Sequence, residues 1–401
     1  MPRPGEVASI PAVNELPFAP ALIGRASLIA EVCHRAKKGE RIALDTEADS
    51  FHSYHHKLCL IQLSFAREQV LIDPLAAGRE ALAPLAELLE DRRIAKVMHG
   101  ADYDLRVLDR DLGAQVRNLR DTQVAAQLLG EGQTGLAALV AKELGIQLDK
   151  RLQRADFGLR PLPAELCRYA ASDTAYLESL ADRLGERLTY LGREGWWGEE
   201  CEALESVRWS EPVTDPLAFE KTKGASRLRG RGRDRLAALH GWREALAASQ
   251  NVPPFRILSA EALVKLAEQP PADLAALTKV SGVGRSLARE RGDEMMAILS
   301  TPPPAPAREP RKRVFDAERE RRIAQLREAR DGLAAQLGLA GGVLAPRTAL
   351  EVVATKRPVD ESGLVDCLAR KWRASVLAPV LLPVVAGWPT EAAADHGAPP
   401  G

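Results

Sequence analysis

Two periods of apolar residues run through the first two hundred positions, and the switching between them predicts a layered α/β unit. Positions 26–38 carry Leu28, Ile29 and Val32 at helical spacing, and Gly39 ends the helix. An apolar run over 41–47 predicts a strand, the sequence KLCLIQLSF over 57–65 a strong second strand, and 68–72 a third. After a turn at Asp73-Pro74, a helix is expected over 81–90, a strand over 94–98, and a helix over 102–112 with Leu105, Val107 and Leu108 inward. A short strand or turn at 118–121 and a helix at 122–129 complete the alternation. From 136 onward the pattern is helical, with helices predicted over 136–144 and, as one continuous element, 163–187.

The same pattern divides the chain. Positions 12–210 form one unit, preceded by a Pro-rich, non-periodic stretch whose first residues, 1–11, are expected to be flexible. A small all-helical module is predicted over 225–301, a Pro-rich basic linker over 302–313, and a second helical unit over 314–388. The two helical units share size and helix rhythm but little identity. Positions 389–401 read as a disordered tail.

The chain has 401 residues, enough for two or three domains, and its composition is that of globular material. Its formal net charge is zero, from 55 basic and 55 acidic residues. The balance hides an asymmetry: positions 219–313 hold 18 Lys and Arg against 10 Asp and Glu, leaving the rest acidic. An acidic part joined to a basic part suits a polyanionic substrate. Five Cys are scattered singly, the pattern of reduced, packed thiols. No apolar leader opens the sequence, and the apolar run at 376–386 is short and broken by Pro379 and Pro383. Neither a signal peptide nor a membrane span is expected, and the cytoplasm is the expected location.

The strand at 41–47 ends in Leu44-Asp45-Thr46-Glu47. Strand alternation puts Asp45 and Glu47 on one face, and two adjacent anions call for a cation, for which a divalent metal is the usual solution. Taken alone, a solvated strand end explains the pair as well. Two further sets of acids follow. In His99-Gly100-Ala101-Asp102-Tyr103-Asp104, a strand gives way to a helix, the place where open α/β sheets bind ligands. Asp102 and Asp104 are both candidates there, with Asp102 also suited to capping. Tyr169 and Asp173 lie four apart on a helix and share a face. Metal ligation explains such an acid, and so does a surface pair with Arg168 or Arg183.

LDTE, HGADYDL and YAASD, in this order and spacing, resemble the three motifs of the DEDD exonuclease superfamily in its tyrosine-bearing branch, and the run as a whole resembles the ribonuclease D family. The resemblance covers roughly 12–200 and implies a ribonuclease H-like mixed sheet. It implies metal-binding and catalytic roles for Asp45, Glu47, Asp104 and Asp173, and a water-orienting role for Tyr169. It further implies two divalent ions, Mg2+ or Mn2+, and release of nucleoside 5′-monophosphates from RNA 3′ ends, tRNA precursors among them. The family's rival activity is 3′–5′ DNA exonucleolysis on single strands. A non-catalytic nucleic-acid-binding scaffold is the rival from another class, and the complete acidic set argues against it.

The module over 225–301 resembles an HRDC domain, a small nucleic-acid-binding bundle. Arg227, Arg229, Arg231, Arg233 and Arg235 form a candidate electrostatic track for nucleic acid, with a solvated charged linker as the plain alternative. Gly282 and Gly284 stand before a helix in a turn for which holding a phosphate and merely connecting two helices are equally good readings. His52, His55 and His56 lie in the loop beyond the first motif, where contact with substrate phosphate is one reading and plain exposure the preferred one, and His99 reads as a structural hydrogen-bonding group. No zinc-type Cys/His spacing and no phosphate-binding P-loop occurs, so no nucleotide cofactor is expected. A monomer is the expected state.

Overall fold

The computed structural model describes residues 20, 22–211, 213–307 and 316–389. The stretch expected to be flexible, 1–11, the second half of the linker and nearly all of the tail lie outside the described residues.

Six strands form one sheet in the order β1-β4-β3-β2-β5-β6: β1 Leu22–Ile23, β2 Arg41–Ala48, β3 Leu58–Phe65, β4 Glu68–Ile72, β5 Ala95–Met98 and β6 Leu119–Asp121. β2, β3 and β4 run as an antiparallel meander, whereas β1, β5 and β6 join in parallel. Every residue of β3 is buried, which explains its unbroken apolar run: it lies inside the sheet and is covered on both faces. β1, two residues long, is too short for any period to reveal.

The helix Ala164–Ala175 packs on β3, β4 and β2. Ser64 on β3 meets Thr174 on this helix, oxygen to oxygen at 2.7 Å. The continuous helix expected over 163–187 is in fact two, Ala164–Ala175 and Leu177–Tyr190. The break is at Tyr176, at φ −113° and ψ −3°. Apolar positions continue at helical spacing through the break, because each half buries its own face on a different surface. That is why periodicity alone joined them.

Two helical bundles follow. The first opens with Gly230–Gln250 and the second with Ala317–Leu337, each 21 residues and each ended by a left-handed residue, Asn251 and Gly338. Arg243 donates to the Leu258 carbonyl at 3.3 Å, and Arg330, 87 residues later, donates to the Ala345 carbonyl at 2.6 Å. Both arginines also grip the acid that follows them, Glu244 and Asp331. Asp273 and Asp360, again 87 apart, each cap a helix in nearly the same extended conformation. The backbone repeat is clear although the side chains have diverged.

The bundles are attached differently. The first has its own apolar core and meets the loop after β2 through polar groups: Arg256 reaches His52 at 2.9 Å, and Asn251 accepts from the His55 N–H at 2.9 Å. The His52 ring is therefore a half-buried bridge, where an exposed loop histidine was expected, whereas His55 is exposed as expected and bridges only through its backbone N–H. The second bundle shares one continuous apolar core with the sheet unit. There Trp196 stacks on Trp372 at 4.6 Å, and Glu200 accepts from the Trp372 indole at 2.8 Å.

Candidate active site

β2 and β3 are paired so that Asp45 faces Gln62 and Glu47 faces Leu60. Residues directly opposite in an antiparallel pair share a face, and on this face lies the helix Ala164–Ala175. It brings Asp173 over the sheet. Oxygens of Asp45, Glu47 and Asp173 lie within 4.8 Å of one another.

The second acidic stretch is positioned by Asp121 at the end of β6. This buried carboxylate accepts from the Gly100 N–H at 3.0 Å and the Ala101 N–H at 2.8 Å, and also caps the helix Thr122–Leu128. Gly100 takes φ +68°, and a Cβ there would press on the Gln123 amide, so glycine is the residue that fits the turn. The turn launches the helix Asp102–Leu112. Within it Asp104 is buried and accepts from the Thr46 hydroxyl, between the two acids of β2. Asp102 is exposed and pairs with Arg106 at 3.0 Å. Helix geometry thus separates the two candidates: the acid at the site is Asp104.

The electrostatics are those of anions held together. Burial raises the Asp45 carboxyl well above its ordinary value, reinforced by Asp104, Asp173 and Glu47. Glu47 is raised by burial and then by Asp173 and Asp104. Burial pushes Asp104 and Asp173 up to about 7, with the Thr46 hydrogen bond pulling Asp104 down in part. Tyr169, one turn before Asp173, lies against Phe157 at 6.3 Å. Its hydroxyl is held above its ordinary value by burial and by Asp173, Glu47 and Asp45. No cation among the described side chains is paired with this cluster. Three anionic oxygens at this separation, all carboxylate, match what a hard divalent cation needs.

Two residues that the sequence did not single out support this site. Gln62 is fully buried opposite Asp45, and neither atom of its amide has a hydrogen-bond partner. A lone amide in the middle of an apolar central strand was the available signal. Arg160, just before the Tyr169 helix, uses every donor it has. It grips Asp73 through two nitrogens at 2.6 and 2.7 Å, and the carbonyls of Cys59, Phe157 and Leu159 at 2.7, 2.8 and 2.7 Å.

The basic run is placed elsewhere, and each of its arginines has an internal partner. Arg227 pairs with Glu268, Arg229 holds the Leu228 carbonyl, and Arg231 and Arg235 hold the last carbonyls of the helix Arg285–Ser300. Arg233 pairs with Glu220. Gly282, at φ +91°, would put a Cβ 2.9 Å from that of Ala262, so close helix packing accounts for it; Gly284 caps the helix that follows. His99 meets the Thr122 hydroxyl at 2.9 Å.

A mixed sheet with a carboxylate cluster at its centre, followed by small helical bundles, has the architecture of a 3′–5′ exonuclease with appended helical modules. Family models agree: a 3′–5′ exonuclease model matches residues 21–189 and an HRDC domain model 233–299. Ribonuclease D of Zymomonas mobilis is 37% identical over 270 residues, covering 66% of this chain and 68% of its own length. That of Xanthomonas oryzae is 33% identical over 356 residues, covering 88% and 94%. The crystal structure of Escherichia coli RNase D, an exoribonuclease involved in structured RNA processing, aligns with a TM-score of 0.64 at 25% identity, covering 92% of this chain and all of that one. The chain belongs to the ribonuclease D family and is a 3′–5′ exoribonuclease, a hydrolase acting on RNA. Among the described residues no helix is long and apolar enough to cross a membrane.

Proposed function

We infer that this chain removes nucleotides one at a time from the 3′ ends of small structured RNAs, tRNA precursors in particular, as a monomer using two Mg2+ or Mn2+ ions. The convergence of Asp45, Glu47 and Asp173 within 4.8 Å, with Asp104 beside them, carries the reading. Those four carboxylates would hold the ions. When bound, such ions lower the pKa of a water and offset charge on the leaving oxygen. Asp45 is central, because its carboxyl senses all three other acids. Thr46 fixes one oxygen of Asp104 and so orients the other. Tyr169 keeps its proton throughout the working pH range, since its hydroxyl is raised, and so it orients the attacking water as a donor or acceptor without acting as a base. Arg160 holds the segment leading into the Tyr169 helix against β3 and β4, keeping Tyr169 and Asp173 in place. The second bundle, with its 87-residue backbone repeat, is a second HRDC-like domain.

The test uses a 3′-extended tRNA and a matched single-stranded DNA with Mg2+ or Mn2+, beside Asp45→Ala. Shortening of the RNA in single steps, absent from the variant, is expected. RNA left intact with either metal overturns the enzyme reading, and faster loss of DNA overturns the choice of RNA.

A further inference from the structure

The residue next to Asp104 points the other way. Tyr103 is exposed, on the rim of the site, and its ring is 6.2 Å from that of His56. His56 in turn lies 6.5 Å from Trp209, edge to face, and the Arg110 guanidinium sits 4.8 Å over the Trp209 ring. Beyond Arg110 opens a cavity of about 330 Å³ whose charged lining is Lys57, Arg79, Arg110 and Asp111. Asp111 is paired with Arg110 at 2.6 Å. Lys57 and Arg79 are both exposed, and neither forms an ion pair with an acid among the described residues.

Aromatic faces followed by unneutralised cations are the two elements of a sequence-tolerant single-strand site, bases stacking on rings and phosphates passing along cations. The direction follows from chemistry. At a 3′–5′ exonuclease the strand ends at the carboxylates, so whatever it touches further away lies 5′ of the scissile bond. Tyr103 and Arg110 are seven residues apart on one helix, roughly 10 Å at the helical rise. That spans about three nucleotides at a stacked rise of ~3.4 Å.

We propose that Tyr103, His56 and Trp209, continued by Arg110 and the Lys57/Arg79 cavity, are the track that holds the RNA strand immediately 5′ of the scissile nucleotide. This rests on the exonuclease reading above and adds the path of its substrate. The track lies against the loop whose His52 and His55 meet the first bundle.

Hydrolysis of a dinucleotide and of an unstructured RNA decamer is compared in wild type, Trp209→Ala and the double variant Lys57→Gln/Arg79→Gln. Loss of one stacking platform is expected to lower the decamer-to-dinucleotide ratio of kcat/KM about tenfold. Neutralising the two cations (Lys57→Gln/Arg79→Gln) should reduce the slope of log affinity against log salt by about 1.4 for a 3′-blocked decamer. Because the cation variants alter exposed side chains, they report even if Trp209→Ala misfolds. An unchanged ratio and unchanged slope overturn the track. Wild type inactive on both substrates overturns the exonuclease reading itself, and with it the track's meaning.

Discussion

Replacing Asp45 by Asn is expected to make the metal-free protein more stable while abolishing its activity. At 4.8 Å and an effective dielectric near 20, two full charges repel by about 3 kcal/mol. Asp45 faces two such partners in Glu47 and Asp173, with Asp104 nearby. The repulsion is bounded, because an acid can take up a proton instead. With Asp173 at about 7, uptake at pH 8 costs only ~1.4 kcal/mol. The net strain released by Asp45→Asn is therefore about 1–3 kcal/mol. Since the chain has more than one apolar core, a global midpoint is a poor measure. Hydrogen exchange at β2 and β3 amides reads the site's own element. In EDTA at pH 8, those amides should exchange about tenfold or more slowly in the variant. Excess Mn2+ should reverse the order: a ligand at one hundred times its Kd adds about 2.7 kcal/mol to a protein that binds it and nothing to one that does not. Faster exchange in metal-free Asp45→Asn, or equal protection of both proteins by Mn2+, would refute the argument that these carboxylates are held in mutual repulsion for a cation.

Three further outcomes follow from neighbouring groups. Asp104 and Asp173 sit at about 7 in the fold against an ordinary value near 4, so each favours folding when protonated. Their contribution is lost as pH rises from about 4 through 7, so metal-free protein should gain β2 protection on going from pH 8 to 6, whereas with Mn2+ it should lose it; a metal-free protein most protected at pH 8 contradicts this. Arg160→Lys is expected to cost about 3 kcal/mol, because Lys cannot replace a two-pronged grip on a buried carboxylate together with three carbonyls, and kcat should fall more than KM changes. Urea unfolding and steady-state kinetics check it, and a loss below ~0.5 kcal/mol would mean the grip is incidental. Gln62→Leu should stabilise the metal-free protein by about 1 kcal/mol, since it removes a buried amide without a partner, yet reduce activity; destabilisation would show that the amide is already satisfied.

Much of this site was legible because its chemistry follows local geometry. Strand alternation alone put Asp45 and Glu47 on one face, and helix spacing put Tyr169 with Asp173. The choice between Asp102 and Asp104 was not legible from pattern, because both fall in the first turn. It depends on where the helix begins, and Asp121, seventeen residues downstream of Asp104, fixes that through the Gly100 and Ala101 amides. Arg160 and Gln62 escaped notice for a similar reason: their partners or their lack of them are set by distant chain. The break at Tyr176 was hidden by continuous periodicity. The likeness of the two bundles was legible only in size and helix rhythm, for what persists is a buried arginine on a carbonyl and a capping aspartate, not a run of shared residues.

The different seating of the two bundles bears on how RNA reaches the carboxylates. The second bundle is joined by stacked indoles and a common apolar core, so moving it would expose buried surface. The first touches the catalytic unit at its outer loop through hydrogen bonds of His52 and His55, exposed contacts of small individual worth. Polar interfaces of this kind leave adjacent domains free to shift. The loop that receives this contact begins one residue after β2, the strand carrying Asp45 and Glu47, and its last histidine, His56, lies beside Tyr103. One short segment therefore touches the first bundle at one end and the rim of the site at the other. A shift of the first bundle would therefore act on the residues at the entrance and not on Asp45 and Glu47, which the sheet holds.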